Sequence, residues 1–223
     1  MEQKINVLGI DIDNCTAKEA LRRTIEYMDS VPVSTVEMLT VDSLMQMDER
    51  PEIKEEVGSF DLVMPADKTL LEAADITDGK NLRETKEQMF LKLFLRYLHK
   101  NHKRVYLLVE SEEEGQRFFD YLQKNYEGVQ VVGLAKVSAR NRADDMLVNA
   151  MNGGEVDCVI AALSAPLQEE FIIRNRNLLD VRIFLGLGKR TLPDLQNGVF
   201  SDRVGRFLMK YIFKREIEKR KQK

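Results

Sequence analysis

An amide and a carboxylate, Gln168 and Glu169, stand where an apolar run gives way to a helical pattern. The run Cys158–Leu163 is long enough for a buried strand, and Pro166 ends it because proline cannot donate to a sheet ladder. Apolar residues recur at helical spacing from Leu167 onward. Ligands in open α/β sheets bind where strands end and helices begin, so Gln168 and Glu169 are candidate binding residues. The plainer alternative is one more strand–helix unit in which both side chains are solvated.

The rest of the chain alternates short apolar runs with helical patterns. Arg104–Val109 is the clearest parallel strand, and Thr16 and Glu19 form a capping-box pattern at the start of a predicted helix over Ala17–Ser30. A polar loop and then one long helix, Glu84–His99, are predicted farther along. This alternation predicts an α/β, Rossmann-like fold in which a mainly parallel sheet is flanked by helices, with a basic helix at the C-terminus.

Composition and cysteine usage exclude several classes of protein. The chain has 223 residues, of which 43% are hydrophobic, enough for a normal globular core. No apolar run approaches the roughly 20 residues that span a bilayer, and the N-terminus lacks an apolar signal region, so we expect a cytoplasmic protein. Cys15 and Cys158 lie far apart, and His99 and His102 have no further ligands beside them. We therefore predict no metal site.

The C-terminal segment carries a charge opposite to that of the rest of the chain. Residues 199–223 include nine Lys or Arg and three Asp or Glu, a net charge of +6 within a chain of net charge −3. The remainder therefore carries −9. This asymmetry predicts a main α/β domain over residues 1–198 and a basic amphipathic helix and tail over residues 199–223.

A helix predicted over Asp202–Lys223 arranges its cations around one apolar face, which suits an anionic membrane surface or a partner protein. A core helix with a solvated basic tail is an equal alternative. Such a helix could also contact nucleic-acid phosphates, but no recognition motif accompanies it, so no nucleic-acid partner is predicted. The residues expected to contact the membrane are Arg203, Arg206, Lys210 and Lys214.

Two motifs in this chain resemble those of a known family. Ala165–Ile172, which reads Ala-Pro-Leu-Gln-Glu-Glu-Phe-Ile, resembles the Gly-x-Pro-x-Gln-Glu-x-aromatic signature of the WecG/TagA/CpsF glycosyltransferases. Val7–Ala20 is similar to the opening of that family, Val-x-Gly-x-x-Ile-Asp-x-x-Thr-x-x-Glu-Ala. The resemblance extends from Ile5 to about Gly198.

The resemblance implies a metal-independent, inverting hexosyltransferase without a cofactor. Its donor would be a UDP-sugar carrying an N-acetylhexosamine. Its acceptor would be a lipid-linked intermediate of cell-surface polysaccharide or teichoic acid synthesis at the inner face of the cell membrane. A homo-oligomer is also compatible with the resemblance.

The resemblance also implies roles for individual residues. Gln168 and Glu169 would bind the donor, and Thr40 stands where the family has an asparagine. Asp67 would be the catalytic base that activates the acceptor hydroxyl, although in strict register Ala66 takes the place of the family's aspartate. The family also has glycines near the donor after the last strand, where this chain keeps Gly186 and Gly188. The cations that follow, Lys189 and Arg190, could bind phosphate or could simply form a solvated turn.

Several loops depart from the family pattern. Residues 110–114 contain four acids where relatives have a glycine-rich phosphate loop, and Leu167 replaces the lysine usually found before the glutamine. Acids would repel a diphosphate, but in a first helical turn they favour the helix. These departures keep a second hypothesis open, in which the protein is a catalytically degenerate member that acts as a partner or regulator.

Overall fold

A computed structural model describes residues 4–77, 79–140, 144–189 and 203–221, with the side chains of the last segment described from 210 to 219. The strands are β1 Lys4–Val7, β2 Ile10–Asp13, β3 Ser34–Leu39, β4 Leu62–Pro65, β5 Arg104–Val109, β6 Gln130–Lys136, β7 Cys158–Ala162 and β8 Ile183–Gly186. Six of them form a sheet that is parallel throughout, in the order β4-β3-β8-β7-β5-β6, and β1 and β2 form a separate two-stranded hairpin. The predicted α/β, Rossmann-like fold is thereby confirmed.

Helices cover both faces of this sheet. Leu44, Met47 and Phe171 pack with other apolar side chains on one face, whereas Phe94 and Phe118 pack on the other. Strands β7 and β8 are buried along their whole length, as expected for the centre of a parallel sheet. The helices are α1 Ala17–Tyr27, α2 Val41–Asp48, α3 Pro51–Gly58, α4 Lys68–Ala73, α5 Lys80–Lys86, α6 Met89–Lys100, α7 Glu112–Asn125, α8 Asp144–Gly153, α9 Leu167–Asn175 and α10 Arg203–Lys221, with a 3₁₀ turn at Arg176–Leu178.

The predicted capping box at the start of α1 is present. The Thr16 hydroxyl accepts a hydrogen bond from the Glu19 backbone N–H, and the Glu19 carboxylate accepts one from the Thr16 N–H. The preceding hairpin turns at Leu8 and Gly9, both at positive φ, as a two-residue hairpin turn of this hand requires. Asp13 ties the hairpin to the sheet, because its buried carboxylate accepts from the Val63 N–H.

The prediction of a single helix over Glu84–His99 is wrong. The chain forms two helices, α5 and α6, and the break falls at Gln88, which adopts a left-handed conformation with φ of 51°. Helix α5 has no buried residue, so no apolar period signals it, and its first turn lies in the predicted polar loop. Its Glu84 carboxylate accepts from the Ala17 N–H, which fixes α5 against the start of α1.

The sheet changes its winding direction between the adjacent strands β5 and β7. After β5 the chain passes through α7 on one face, where Phe118 packs, and reaches β6. After β7 it passes through α9 on the other face, where Phe171 packs, and reaches β8. Such a switch point opens a crevice at the carboxyl ends of the strands, which is the usual ligand site of open α/β sheets.

Helix α10 confirms the helix predicted near the C-terminus and packs against the main body through the fully buried Phe213. The predicted domain boundary between residues 198 and 199 lies outside the described residues. Across the described ranges, no helix is both long enough and apolar enough to span a bilayer.

Candidate functional site

The predicted site residues of strands β3 and β8 meet at the carboxyl edge of the sheet. Thr40 caps α2, accepting a hydrogen bond of 3.0 Å from the Ser43 N–H, so its side chain is fixed just beyond β3. Gly188 has φ of +70° and lies so close that an added Cβ would stand 3.2 Å from Thr40 Cγ2. Gly188 thus meets both the conformational and the spatial requirement for glycine.

Asp67, the candidate base, follows the end of the neighbouring strand β4 and is the N-cap residue of α4. Its Oδ1 accepts from the Thr69 N–H at 2.9 Å and from the Thr69 hydroxyl at 2.7 Å. Lys210 of α10 approaches the same carboxylate, with Nζ 2.8 Å from Oδ2. Burial alone would raise the pKa of Asp67, but the bonds from Lys210 and Thr69 outweigh it and lower that pKa. Asp67 is therefore a charged carboxylate whose side chain is 25% exposed.

Gln168 joins three strand ends. Its Oε1 accepts from the Gly188 N–H at 3.0 Å and, at 3.5 Å, from the Leu163 N–H after β7. Its Nε2 donates to Glu37 Oε1 on β3 at 2.7 Å. The side chain is fully buried, so the alternative in which Gln168 is solvated is wrong.

Glu169 is also fully buried, and burial raises its pKa to about 7. The Glu169 backbone N–H and the Ser43 hydroxyl favour the ionised form, while the carboxylates of Asp42 and Glu170 oppose it. No hydrogen bond of normal geometry reaches either Glu169 oxygen within the described residues. The adjacent Glu37 has its pKa raised well above the ordinary value by burial and by the charge of Glu169. These two carboxyl groups form a buried acid pair.

The switch-point crevice between β5 and β7 contains Glu110, the first residue of the acidic loop. Glu110 accepts a hydrogen bond from the Ser164 N–H and pairs with Lys189, whose Nζ lies 3.0 Å from Oε2. Lys189 also lies 3.4 Å from Glu114. Burial alone would raise the pKa of Glu110, but its bonds to Ser164 and Lys189 lower it. The acidic loop therefore has a structural role, and Ser111 caps α7 behind it.

Helix α10 presents its described side chains in two directions. Phe213 and Lys210 face the main body, whereas Tyr211 and Ile212 are 60% and 43% exposed. Lys214 is 62% exposed, and its Nζ pairs only loosely with Glu72, at a distance of 3.9 Å from Oε2. The side chains of Arg203 and Arg206, and the whole of Arg190, lie outside the described residues.

Sequence analysis missed Glu37 and the partners of Asp67 and Lys189. A partial signal for Glu37 was present, since this glutamate stands between the apolar residues Val36 and Met38, and the structure buries β3 at every position. The described residues contain no group of three or more His, Cys, Asp or Glu that could hold a metal ion. Direct donor contact by Thr40, Gln168, Glu169, Gly186 and Gly188 stays a prediction.

Comparison with known proteins identifies one family. The family model described as "Glycosyl transferase WecG/TagA/CpsF family" matches residues 5–190. The matched range covers the sheet and its carboxyl edge up to the turn at Lys189, and it ends before α10. No curated protein matches the chain.

Proposed function

Because the chain belongs to the WecG/TagA/CpsF family of glycosyltransferases, we propose that it transfers an N-acetylhexosamine from a UDP-sugar to a lipid-linked acceptor. The product would serve cell-surface polysaccharide or teichoic acid synthesis at the inner face of the cell membrane. The observation that supports the proposal is the arrangement of side chains at the carboxyl edge of the sheet. There Thr40 and an ionised Asp67 follow the ends of the paired strands β3 and β4, and Gln168 holds the Gly188 turn against the end of β7.

Asp67 is the candidate base of the reaction. As the acceptor hydroxyl attacks the anomeric carbon, its proton would pass to Asp67, and the bond from that carbon to the UDP oxygen would break. Direct attack inverts the anomeric configuration. Lys210 keeps Asp67 ionised but also weakens it as a base, so the acceptor must share the carboxylate with Lys210 or displace it.

The donor diphosphate would lie at the switch-point crevice, near Lys189 and the Ser164 N–H. Both groups are engaged by Glu110, so a diphosphate must compete with that carboxylate. The turn at Gly186–Lys189 would place its backbone next to the diphosphate. The proposed reaction needs no metal, because the charge of Lys189 would balance that of the leaving diphosphate.

Helix α10 is the proposed membrane contact. Tyr211 and Ile212 are exposed beside Lys214 and Arg215, a combination of apolar and cationic side chains that suits an anionic interface. The same helix reaches Asp67 through Lys210. A lipid-linked acceptor at the membrane would thereby approach the candidate base.

Calorimetric titration with UDP and with UDP-N-acetylhexosamines at low salt tests the donor half of this proposal. We expect binding to the native chain and weaker binding to the Gln168→Ala variant, because the Gly188 turn loses its acceptor. Thr24→Ala is a matched control, since Thr24 is equally buried but bonds only within α1. A folded native chain that binds no nucleotide sugar would refute the donor assignment.

A non-catalytic partner or regulator is the second candidate function. One observation favours it: Glu110 occupies both the Ser164 N–H and Lys189, the groups that a donor phosphate would use. The two candidates differ in turnover. Sugar transfer that is lost in Asp67→Asn supports the enzyme, whereas nucleotide binding without transfer to any lipid-linked acceptor supports the partner protein.

A further inference from the structure

Glu37 is a carboxylic acid in the interior of the sheet. It lies on β3 directly opposite Gly186 of β8, and only 1% of its surface is exposed. Gly186 has no side chain, so the Glu37 carboxylate extends across it toward α9. A Cβ at position 186 would overlap Glu37 Oε2 and would lie 2.6 Å from Gln168 Nε2. The glycine at 186 is therefore explained by the Glu37–Gln168 pair.

The contacts at both ends of the Gln168 amide fix its orientation. A backbone N–H can only donate, so the end that meets the N–H groups of Gly188 and Leu163 must be the acceptor oxygen of Gln168. The opposite end is then the Nε2 donor, which lies 2.7 Å from Glu37 Oε1 and donates to it. Glu37 can accept this bond whether or not its other oxygen carries a proton. A reversed amide would place its NH₂ group against the two backbone donors.

Two backbone segments depend on this orientation. The Gly188 N–H bond to Gln168 holds the turn after β8, where φ of Gly188 is +70°. The next residue, Lys189, donates its own N–H to the Leu163 carbonyl at 2.8 Å. Lys189 is thus placed in the switch-point crevice by the same turn that Gln168 holds.

The charges around Glu37 show that stability alone does not explain it. Its Oε2 lacks a hydrogen-bond partner among the described residues, and the charge of the buried Glu169 acts on it unfavourably. Glu169 in turn lies near the carboxylates of Asp42 on α2 and Glu170 on α9, of which Glu170 pairs with Arg50 at 2.7 Å. Burial of an acid that has one unsatisfied oxygen and no cation among the described residues costs stability, and an apolar residue would be favoured on that ground.

We propose that Glu37 is a positioning residue that acts through Gln168 to set the Gly186–Lys189 turn for the donor diphosphate. The ligand named in this inference rests on the proposed function, whereas the geometry around Glu37 does not depend on it. Glu37 itself touches no donor, because its side chain is buried behind Gly186 and Gln168.

Two readouts test this role in the full chain, and one of them needs no ligand. The first is the amide hydrogen exchange of the Gly188 and Lys189 N–H groups; the second is UDP affinity by calorimetry. Glu37→Leu removes the acceptor at similar volume, and we expect exchange at Gly188 to rise about tenfold or more and UDP affinity to fall about tenfold. Glu37→Gln keeps an acceptor oxygen and is expected to restore most of the protection and affinity.

The controls separate positioning from a general loss of stability. Thr24→Ala should lower the melting temperature without changing the exchange at Gly188 relative to its neighbours in β8. Unchanged Gly188 exchange in a folded Glu37→Leu variant would overturn the positioning role. If the native chain binds no UDP but Glu37→Leu still raises the amide exchange of Gly188, the assignment of a UDP-sugar donor is refuted and the positioning role of Glu37 is retained.

Discussion

Two sets of carboxyl groups lie along the same edge of the sheet and have opposite electrostatics. Asp67 and Glu110 are partly exposed and each has a lysine partner, so their pKa values are lowered. Glu37 and Glu169 are fully buried and have no cation partner in the part of the chain that the structure describes, and their pKa values are raised, that of Glu169 to about 7. Depth and pairing, rather than residue type, decide which acids are charged at neutral pH.

This difference assigns different chemistry to the two sets. An ionised carboxylate at the surface can take a proton from an acceptor hydroxyl, as proposed for Asp67. A buried acid with a raised pKa is suited to fixing a neighbouring side chain, as proposed for Glu37 and Gln168. Environments that push the pKa values of nearby acids apart are a common way to separate roles within one site.

The largest expected effect is on turnover in Asp67→Asn. Asparagine still caps α4, so the fold should persist, but the base is lost and transfer should fall by about 10²–10⁴-fold. Release of UDP in the presence of a lipid-linked acceptor measures this rate. Asp29→Asn is the control, since Asp29 is exposed after α1. Equal rates in the native chain and Asp67→Asn would remove Asp67 from the mechanism.

The next effect is on the pH dependence of stability. A carboxyl whose folded pKa is raised contributes stability below its unfolded pKa, and this is lost as pH rises through the folded value. For Glu169 the window runs from about 4.5 to about 7, and the change is on the order of 3 kcal/mol. Chemical denaturation across this range should show a steeper fall in stability with pH in the native chain than in Glu169→Gln, in which only Glu37 of the pair still titrates. If stability changed with pH in the same way in the two proteins, the raised pKa assigned to Glu169 would be contradicted.

A smaller effect is expected from Glu110→Gln in the other set. Loss of this charge releases Lys189 and weakens the hold on the Ser164 N–H, so UDP affinity should rise about threefold to tenfold. Glu112→Gln removes the same charge at an exposed position and should change affinity little. If both variants bind UDP as the native chain does, the switch-point crevice is not the diphosphate site.

The smallest effect concerns the exposed cations of α10, which pair only loosely with acids. Lys214→Ala should weaken binding to vesicles containing anionic lipid by about fivefold, and added salt should reduce this difference. Lys18→Ala on α1 removes an exposed lysine from the opposite face of the sheet and serves as control. Equal loss in both variants would indicate general charge attraction rather than contact through α10.

The fold was predictable because its signals are local. Apolar runs such as Arg104–Val109 and the capping box at Thr16 and Glu19 each lie within a few residues, and the structure confirms them. Helix α5 was missed because it buries no residue and so has no apolar period. Gln88 interrupts the next helix through a left-handed conformation that its residue type does not indicate.

The candidate site was predictable only in part because its contacts join distant segments. Gln168 was identified from its motif, but its bond to Glu37 spans 131 positions of the chain. The ion pair of Asp67 with Lys210 spans 143 positions. Burial of Gln168 and Glu169 depends on how α9 packs over β3 and β8, which a single strand–helix pattern does not specify.

Titration of the side-chain carboxyl carbons by NMR tests the central claim directly. Spectra of the native chain from about pH 3 to pH 9, assigned with Asp67→Asn, Glu110→Gln, Glu37→Gln and Glu169→Gln, give the four pKa values. We predict that Asp67 and Glu110 titrate below their ordinary values, Glu37 well above its own, and Glu169 near 7. Ordinary values for all four groups would contradict the division of the sheet edge into charged surface acids and a buried acid pair with raised pKa values.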